Sequence, residues 1–393
     1  LSTRRCPVDQ DTLRILLGEA VRETVAEVLQ TFLELNRTAF FQFHGGGGNG
    51  YYPRKLEPTS GQVARKSPRD GESRYNPAFL KPTFSPWVEV GEGGLGAFTA
   101  ELLRYDPQGE ALKGGKGLVY ALAYGPQGVL ALGDEAGQVR FLPPGRPPLD
   151  LKGHASYVRD LAFSPDGRYL ASASGDGTLR LYDAQGRFLR ALGKGPAFLK
   201  VGFDSRGRLF GLQLRGNLTL FDPATGKVLA TRSLSPYLFS AAQSPGGRVL
   251  GLGLSVGRVE VWDLTLPGKR GEIRVPGGPV YALAFRPDGR YLAVASADGG
   301  VRLLDLLAPG GPEPRLLYAH KDLTLSLAFS PDGRYLASGG QDREVRLYDL
   351  EAGLLERVYV GHTGPVYGLD FHPQTPTLAT SGGEGRVLLF RLP

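Results

Sequence analysis

Phe163–Asp183 reads FSPDGRYLASASGDGTLRLYD, and the same phrase returns at Phe329–Asp349 as FSPDGRYLASGGQDREVRLYD. A worn copy, FRPDGRYLAVASADGGVRLLD, occupies Phe285–Asp305. Anchoring each copy at the residue before the turn gives Tyr124, Phe163, Phe203, Gln243, Phe285, Phe329 and Phe371, at intervals of 39, 40, 40, 42, 44 and 42 residues. Such periodic self-similarity sets the architecture before any local reading does.

Inside one copy, Val158–Phe163 is a short apolar run and Pro165-Asp166-Gly167 is a turn. Tyr169–Ser174 is a second run, Gly175-Asp176-Gly177 a hairpin turn, and Leu179–Asp183 a third run. A polar break at Gln185-Gly186 precedes a fourth run near Phe188–Leu192. Short β-rich runs divided by Gly, Pro and Asp turns are the hairpin signature. Four strands per period of about 40–45 residues make one blade of a β-propeller. The fold class expected is all-β: a seven-bladed propeller, with eight blades as the alternative, and a small helical or irregular N-terminal extension. The eighth blade is suggested by Pro77–Phe84, PAFLKPTF, which parallels PAFLKVGF at Pro196–Phe203.

Residues 110–393 resemble the WD-repeat β-propeller family. The residues that carry the resemblance are Gly153-His154, Gly361-His362, the variant Ala319-His320, Trp262-Asp263, and Tyr182-Asp183 and Tyr348-Asp349 in the same place. The resemblance implies buried polar chains of His, Ser or Thr, Asp and an aromatic, each tying three strands of one blade. Here they fall on His154, Ser172, Asp176 and Tyr182, and on His320, Ser338, Asp342 and Tyr348. His362, Thr380, Glu384 and Phe390 form an incomplete third chain, since Phe390 has no hydroxyl. The resemblance also implies a face that binds peptides. The aligned inner-strand positions hold Tyr120, Arg159, Leu199, Phe239, Tyr281, Leu325 and Tyr367. Tyr120, Arg159, Tyr281 and Tyr367 are the candidate partner contacts, because Tyr and Arg suit an interaction hot spot. Leu199, Phe239 and Leu325 are read as packing between blades.

The chain has 393 residues, 57 of them glycine and 30 proline, and these fall periodically at turns. The last repeat, Val366–Pro393, supplies three strands, and Glu110–Gly115, EALKGG, aligns with Leu149–His154, LDLKGH. Residues 110–115 are therefore expected to complete the last blade and remove an open edge.

The N-terminal part reads differently. Residues 1–86 form one expected unit and residues 87–109 a connector. Apolar residues three or four apart, from Leu13 through Val21 and Val28 to Leu35, predict an amphipathic helix over Asp11–Leu35. His44–Gly50, HGGGGNG, is read as a flexible glycine tract, and Tyr51–Pro77 as a basic segment bearing Arg54, Lys55, Arg65, Lys66 and Arg69. Residues 10–77 resemble the N-terminal segment of the bacterial Mutator-type transposases, through Arg37-Thr38-Ala39, Asn49-Gly50-Tyr51, Arg54, Gly61, Val63, Pro68-Arg69, Gly71 and Pro77. The resemblance implies a DNA-binding or dimerising remnant, without the acidic catalytic domain of that family. Residues 1–86 carry 12 basic against 9 acidic residues, which is weak for a dedicated nucleic-acid binder.

Candidate catalytic chemistry is sparse. His–Asp pairs recur repeat after repeat, whereas catalysis needs one. Asp160, Asp370 and Lys200 are scattered along the inner strands, His372 stands in a turn, and no zinc spacing of Cys or His exists. A channel-centred, metal-dependent hydrolase is thus the lesser alternative to a non-catalytic interaction scaffold, and no cofactor or metal is expected. No run of 18 apolar residues exists and no signal peptide is visible, so a cytoplasmic location without membrane contact is expected. Cys6 is the single cysteine, Met is absent and Arg is abundant, a composition that hints at a thermophilic source.

Overall fold

A computed structural model describes residues 48–53, 66–70, 105–106, 110–113, 117–151, 153–265 and 268–393. The chain divides into two compact units, Leu1–Tyr105 and Asp106–Pro393. The described residues of the second contain no helix. They form seven antiparallel sheets, each built on the same four-strand unit.

The second sheet shows why. Its inner strand is Val158–Phe163, followed by Tyr169–Ser174, Leu179–Asp183 and the outer strand Phe188–Leu192. Burial falls from the centre outward. Tyr169–Ser174 is almost wholly buried, because sheets cover both of its faces, and so it reads as a continuous apolar run. The outer strand of the third sheet, Val228–Ser233, is largely exposed. The turn after each inner strand is set by its own polar atoms. Ser164 Oγ donates to Asp166 at 2.6 Å, the Arg168 amide donates to the same carboxylate at 3.0 Å, and Gly167 takes φ +69°. Only glycine adopts that left-handed region without strain.

Seven apolar clusters fill the seven gaps between neighbouring sheets. One joins Phe141 and Val139 of the first sheet to Leu161, Leu170 and Tyr182 of the second. Another joins Val119, Leu130 and Leu132 of the first sheet to Ala379 and Val387 of the seventh. With that contact the ring is closed, and the seven inner strands neighbour one another in order around a central channel. The architecture is a seven-bladed β-propeller. Gln243, where the repeat loses its aromatic, donates from Nε2 to the Phe203 carbonyl of the preceding blade at 2.5 Å, so an amide replaces the ring contact.

The seventh blade holds Val366–Phe371, Thr377–Gly382 and Arg386–Arg391. Its fourth strand is Glu110–Lys113, antiparallel to Arg386–Arg391, with Leu112 opposite Val387 and Ala111 opposite Leu388. Leu112 packs on the cluster between the seventh and first blades.

In the first unit, Gly48–Pro53 pairs antiparallel with Lys66–Asp70, with Tyr52 opposite Ser67. The end of the glycine tract, read as flexible, and part of the basic segment are thus strands; Tyr51 and Tyr52 supply the β preference. Lys66 and Arg69 lie on the second of these strands. The expected helix over Asp11–Leu35, Arg54, Lys55, Arg65, and nearly all of the expected connector and eighth blade lie outside the described residues. Among the described residues, no helix is long and apolar enough to cross a membrane.

Candidate functional site

Polar side chains gather in two settings, inside the ring wall and around the channel. In the wall, His154 follows the outer strand Leu149–Leu151 of the first blade. Its Nδ1 lies 3.0 Å from Asp176 Oδ2, and its Nε2 lies 2.7 Å from Ser172 Oγ, both in the second blade. Ser172 is also hydrogen-bonded to the Tyr182 hydroxyl. The chain therefore bridges two blades rather than tying strands of one. The reason is topological: the histidine rides on the loop that leaves one blade and enters the next.

Burial pushes the His154 ring down to about 4, against the upward pull of Asp176. Burial works to raise Asp176, but hydrogen bonds from Thr178 and the Ala155 amide prevail and hold it at about 2. The neutral ring donates to one partner and accepts from the other.

The folded-state pKa of His154 lies below the ordinary 6.5, so its contribution is complete above pH 6.5 and is lost as pH falls from there toward 4. Asp176 extends the loss from its ordinary 3.8 toward 2. Lowering pH from 7 to 4 is expected to remove on the order of 3 kcal/mol through this one ring. Urea unfolding of the wild type and of His154→Gln at pH 7, 5.5 and 4 measures it. A gap between the two proteins that does not narrow toward acid would contradict it.

The sixth blade carries a denser version. His320 Nδ1 lies 3.0 Å from both oxygens of Asp342, and Nε2 lies 2.6 Å from Ser338 Oγ. The hydroxyl that reaches Ser338, at 3.0 Å, belongs to Tyr318, whereas Tyr348 stacks on the Tyr318 ring at 5.4 Å. Tyr318 stands on the outer strand of the fifth blade, so this link also crosses between blades. Arg346 is wholly buried, 2.8 Å from Glu344 and 3.8 Å from Asp342, and it also donates to the Ala319 carbonyl. In the seventh blade, His362 joins Glu384 at 2.5 Å and Thr380 at 2.7 Å; Phe390 stacks on Tyr359 instead.

Two further networks escaped the sequence reading. Arg302 grips Asp298 through two nitrogens at 2.5 and 3.0 Å, in a repeat without histidine. Glu260, buried, accepts from Ser235 Oγ at 2.6 Å and Trp262 Nε1 at 2.9 Å, with Lys269 at 3.2 Å. A signal for the first existed: Asp176–Arg180, Asp298–Arg302 and Asp342–Arg346 share a spacing of four. All of these groups serve the wall.

Around the channel, the beginnings of the inner strands bring three tyrosines together. The Tyr120 ring lies 5.1 Å from Tyr367 and 6.0 Å from Tyr157, edge-on to both. Arg159 is exposed beside them. Burial pushes the Tyr120 hydroxyl up, Glu135 and Tyr367 add to this, and Arg159 opposes it. Tyr281 pairs with Phe239 at 5.4 Å rather than with this group. Leu199 is buried, and Phe239 and Leu325 are half-buried. Tyr157 was missed because it precedes its strand. Tyr237, in the equivalent place in the fourth blade, is 75% exposed and takes φ +63°. Among the described residues, no group of three or more His, Cys, Asp or Glu side chains is placed to hold a metal ion.

The family model described as WD domain, G-beta repeat, matches residues 145–183, 270–305, 311–349 and 353–391. Four stretches of the chain match the WD40 repeat. Each match starts near the outer strand of one blade and ends with the third strand of the next, so each WD40 repeat spans the joint that the polar chains bridge. Among curated proteins, the chain is 30% identical over 166 residues to Nuclear distribution protein PAC1 of Arthroderma benhamiae, covering 41% of this chain and 31% of that protein. It is 30% identical over 165 residues to Pre-mRNA-processing factor 19 homolog 2 of Arabidopsis thaliana, covering 40% and 31%. It is also 30% identical over 161 residues to THO complex subunit 3 of the same plant, covering 40% and 51%. The chain thus spans about a third of the length of the first of these relatives.

Proposed function

We propose that the ring is a non-catalytic protein-interaction platform whose partner docks on the mouth formed by Tyr120, Tyr157, Arg159 and Tyr367. The observation that carries this reading is the gathering of three partly exposed tyrosines and an exposed arginine at one end of the channel. Aromatic residues and arginine dominate binding energy at protein interfaces. A ring closed by seven apolar joints presents them with little ordering cost on binding. The recurring His–carboxylate pairs lie inside the wall and serve the fold, which argues against an enzyme built on them. THO complex subunit 3 is by its name a complex member, which fits an assembling role. A DNA-associated role of the basic segment rests on its sequence resemblance alone.

The test is capture from source-cell extract on the immobilised full chain, beside a Tyr120→Ala, Arg159→Glu, Tyr367→Ala variant of equal thermal stability. Loss of about 2 kcal/mol for a central aromatic alone is expected to remove the specific partner. Retention of the same proteins by both forms would discard the mouth as the binding face.

A further inference from the structure

The opposite ends of the same inner strands form a second feature. Tyr124, Phe163, Phe329 and Phe371 close the inner strands of blades one, two, six and seven, and each is followed two residues later by a proline. Together with Asp370 they line a cavity of about 280 Å³. Asp370 is the one charged side chain of that lining. It also departs from the repeat: the other six blades carry Ala123, Ala162, Gly202, Ala242, Ala284 and Ala328 at this position. The fold is therefore served by a small residue here, and the carboxyl is an addition.

Asp370 Oδ2 accepts from the Tyr124 amide at 2.7 Å, and Oδ1 accepts from the Phe371 amide at 2.9 Å. A carboxylate has about four acceptor sites, so two remain beyond these two bonds. The nearby ammonium, Lys200, is held by Asp160 at 3.0 Å. The field of Lys200 reaches Asp370, but its ion pair is with Asp160. Burial pushes Asp370 up to about 6, against two amide hydrogen bonds and the field of Lys200. Among the described residues, no cation is in contact with its charged form.

We propose that this end of the ring is a second binding site, which takes one basic side chain, lysine or arginine, from a segment of a protein partner. The cation meets Asp370 and the faces or edges of the surrounding rings, while its methylene stem packs on the aromatic walls. The volume supports a single side chain, since it falls below the roughly 300–1,000 Å³ of pockets for drug-sized ligands.

The test is calorimetric titration of the full chain at low salt with capped Gly-Lys-Gly, Gly-Arg-Gly and Gly-Gln-Gly peptides, and with methylammonium. At least one basic peptide is expected to bind, with the glutamine peptide about tenfold weaker or worse. Asp370→Asn is expected to weaken the basic peptide about tenfold. Lys200→Gln removes the competing charge and is expected to tighten it, so the sign of that change decides the matter even if Asp370→Asn does not fold. Absence of binding by both basic peptides, unchanged affinity in Asp370→Asn, or weakening in Lys200→Gln would overturn the site. Methylammonium bound as tightly as the peptides would overturn the choice of a partner segment over a free amine.

Discussion

Asp342→Ala is expected to lower the unfolding free energy by about 3–5 kcal/mol, the range for breaking a buried ion pair from one side. The carboxylate is 5% exposed and joins His320, the Lys321 and Glu344 amides, and the field of Arg346. Burial works to raise its pKa, but His320 and Arg346 hold it at about 2, so it is charged at neutral pH. Removing it takes one of two carboxylates from beside a wholly buried guanidinium and strands two amides. It also releases one joint of a ring in which every joint is needed for closure. Asp298→Ala is the comparison: its side chain is 38% exposed, so water replaces the lost oxygens and a loss of about 1–2 kcal/mol is expected. Urea unfolding at pH 7 checks both. Equal losses in the two variants would mean that burial of the polar chain does not set its strength.

Deleting residues 110–113 is expected to have a comparable effect by another route. The strand supplies four residue pairs to Arg386–Arg391. Its backbone hydrogen bonds contribute about 1 kcal/mol each, and the packing of half-buried Leu112 adds about 1 kcal/mol more. The melting temperature should fall by roughly 10 °C or more at this domain size. The bared strand Arg386–Arg391 then becomes an edge ready to pair with another chain, and light scattering should detect oligomers. An unchanged melting temperature with a monodisperse sample would show that the ring does not depend on this strand.

Much of this was legible beforehand. Seven anchors at nearly constant spacing dictated seven sheets, since each period holds four β-forming runs and no helical one. His154 and Asp176, His320 and Asp342, and His362 and Glu384 are all 22 residues apart, which marked the polar chains. Their direction was not legible, because a linear repeat does not reveal that its first strand belongs to the preceding blade. Tyr318 in place of Tyr348 follows from the same ambiguity. Arg302 and Glu260 replace histidine by different chemistry at different strand positions, so no shared motif exposed them.

The sequence by itself determined the four-strand repeat of the ring, most of its turn chemistry and its recurring histidine–carboxylate pairs, because local hydrogen bonds and alternating burial repeat with the chain. Only the tertiary structure decided which tyrosines meet and that Asp370 lines one cavity with Tyr124, Phe163, Phe329 and Phe371. Those neighbours come from blades up to about 250 residues apart, and their proximity exists only once apolar burial between the first and seventh blades has closed the circle.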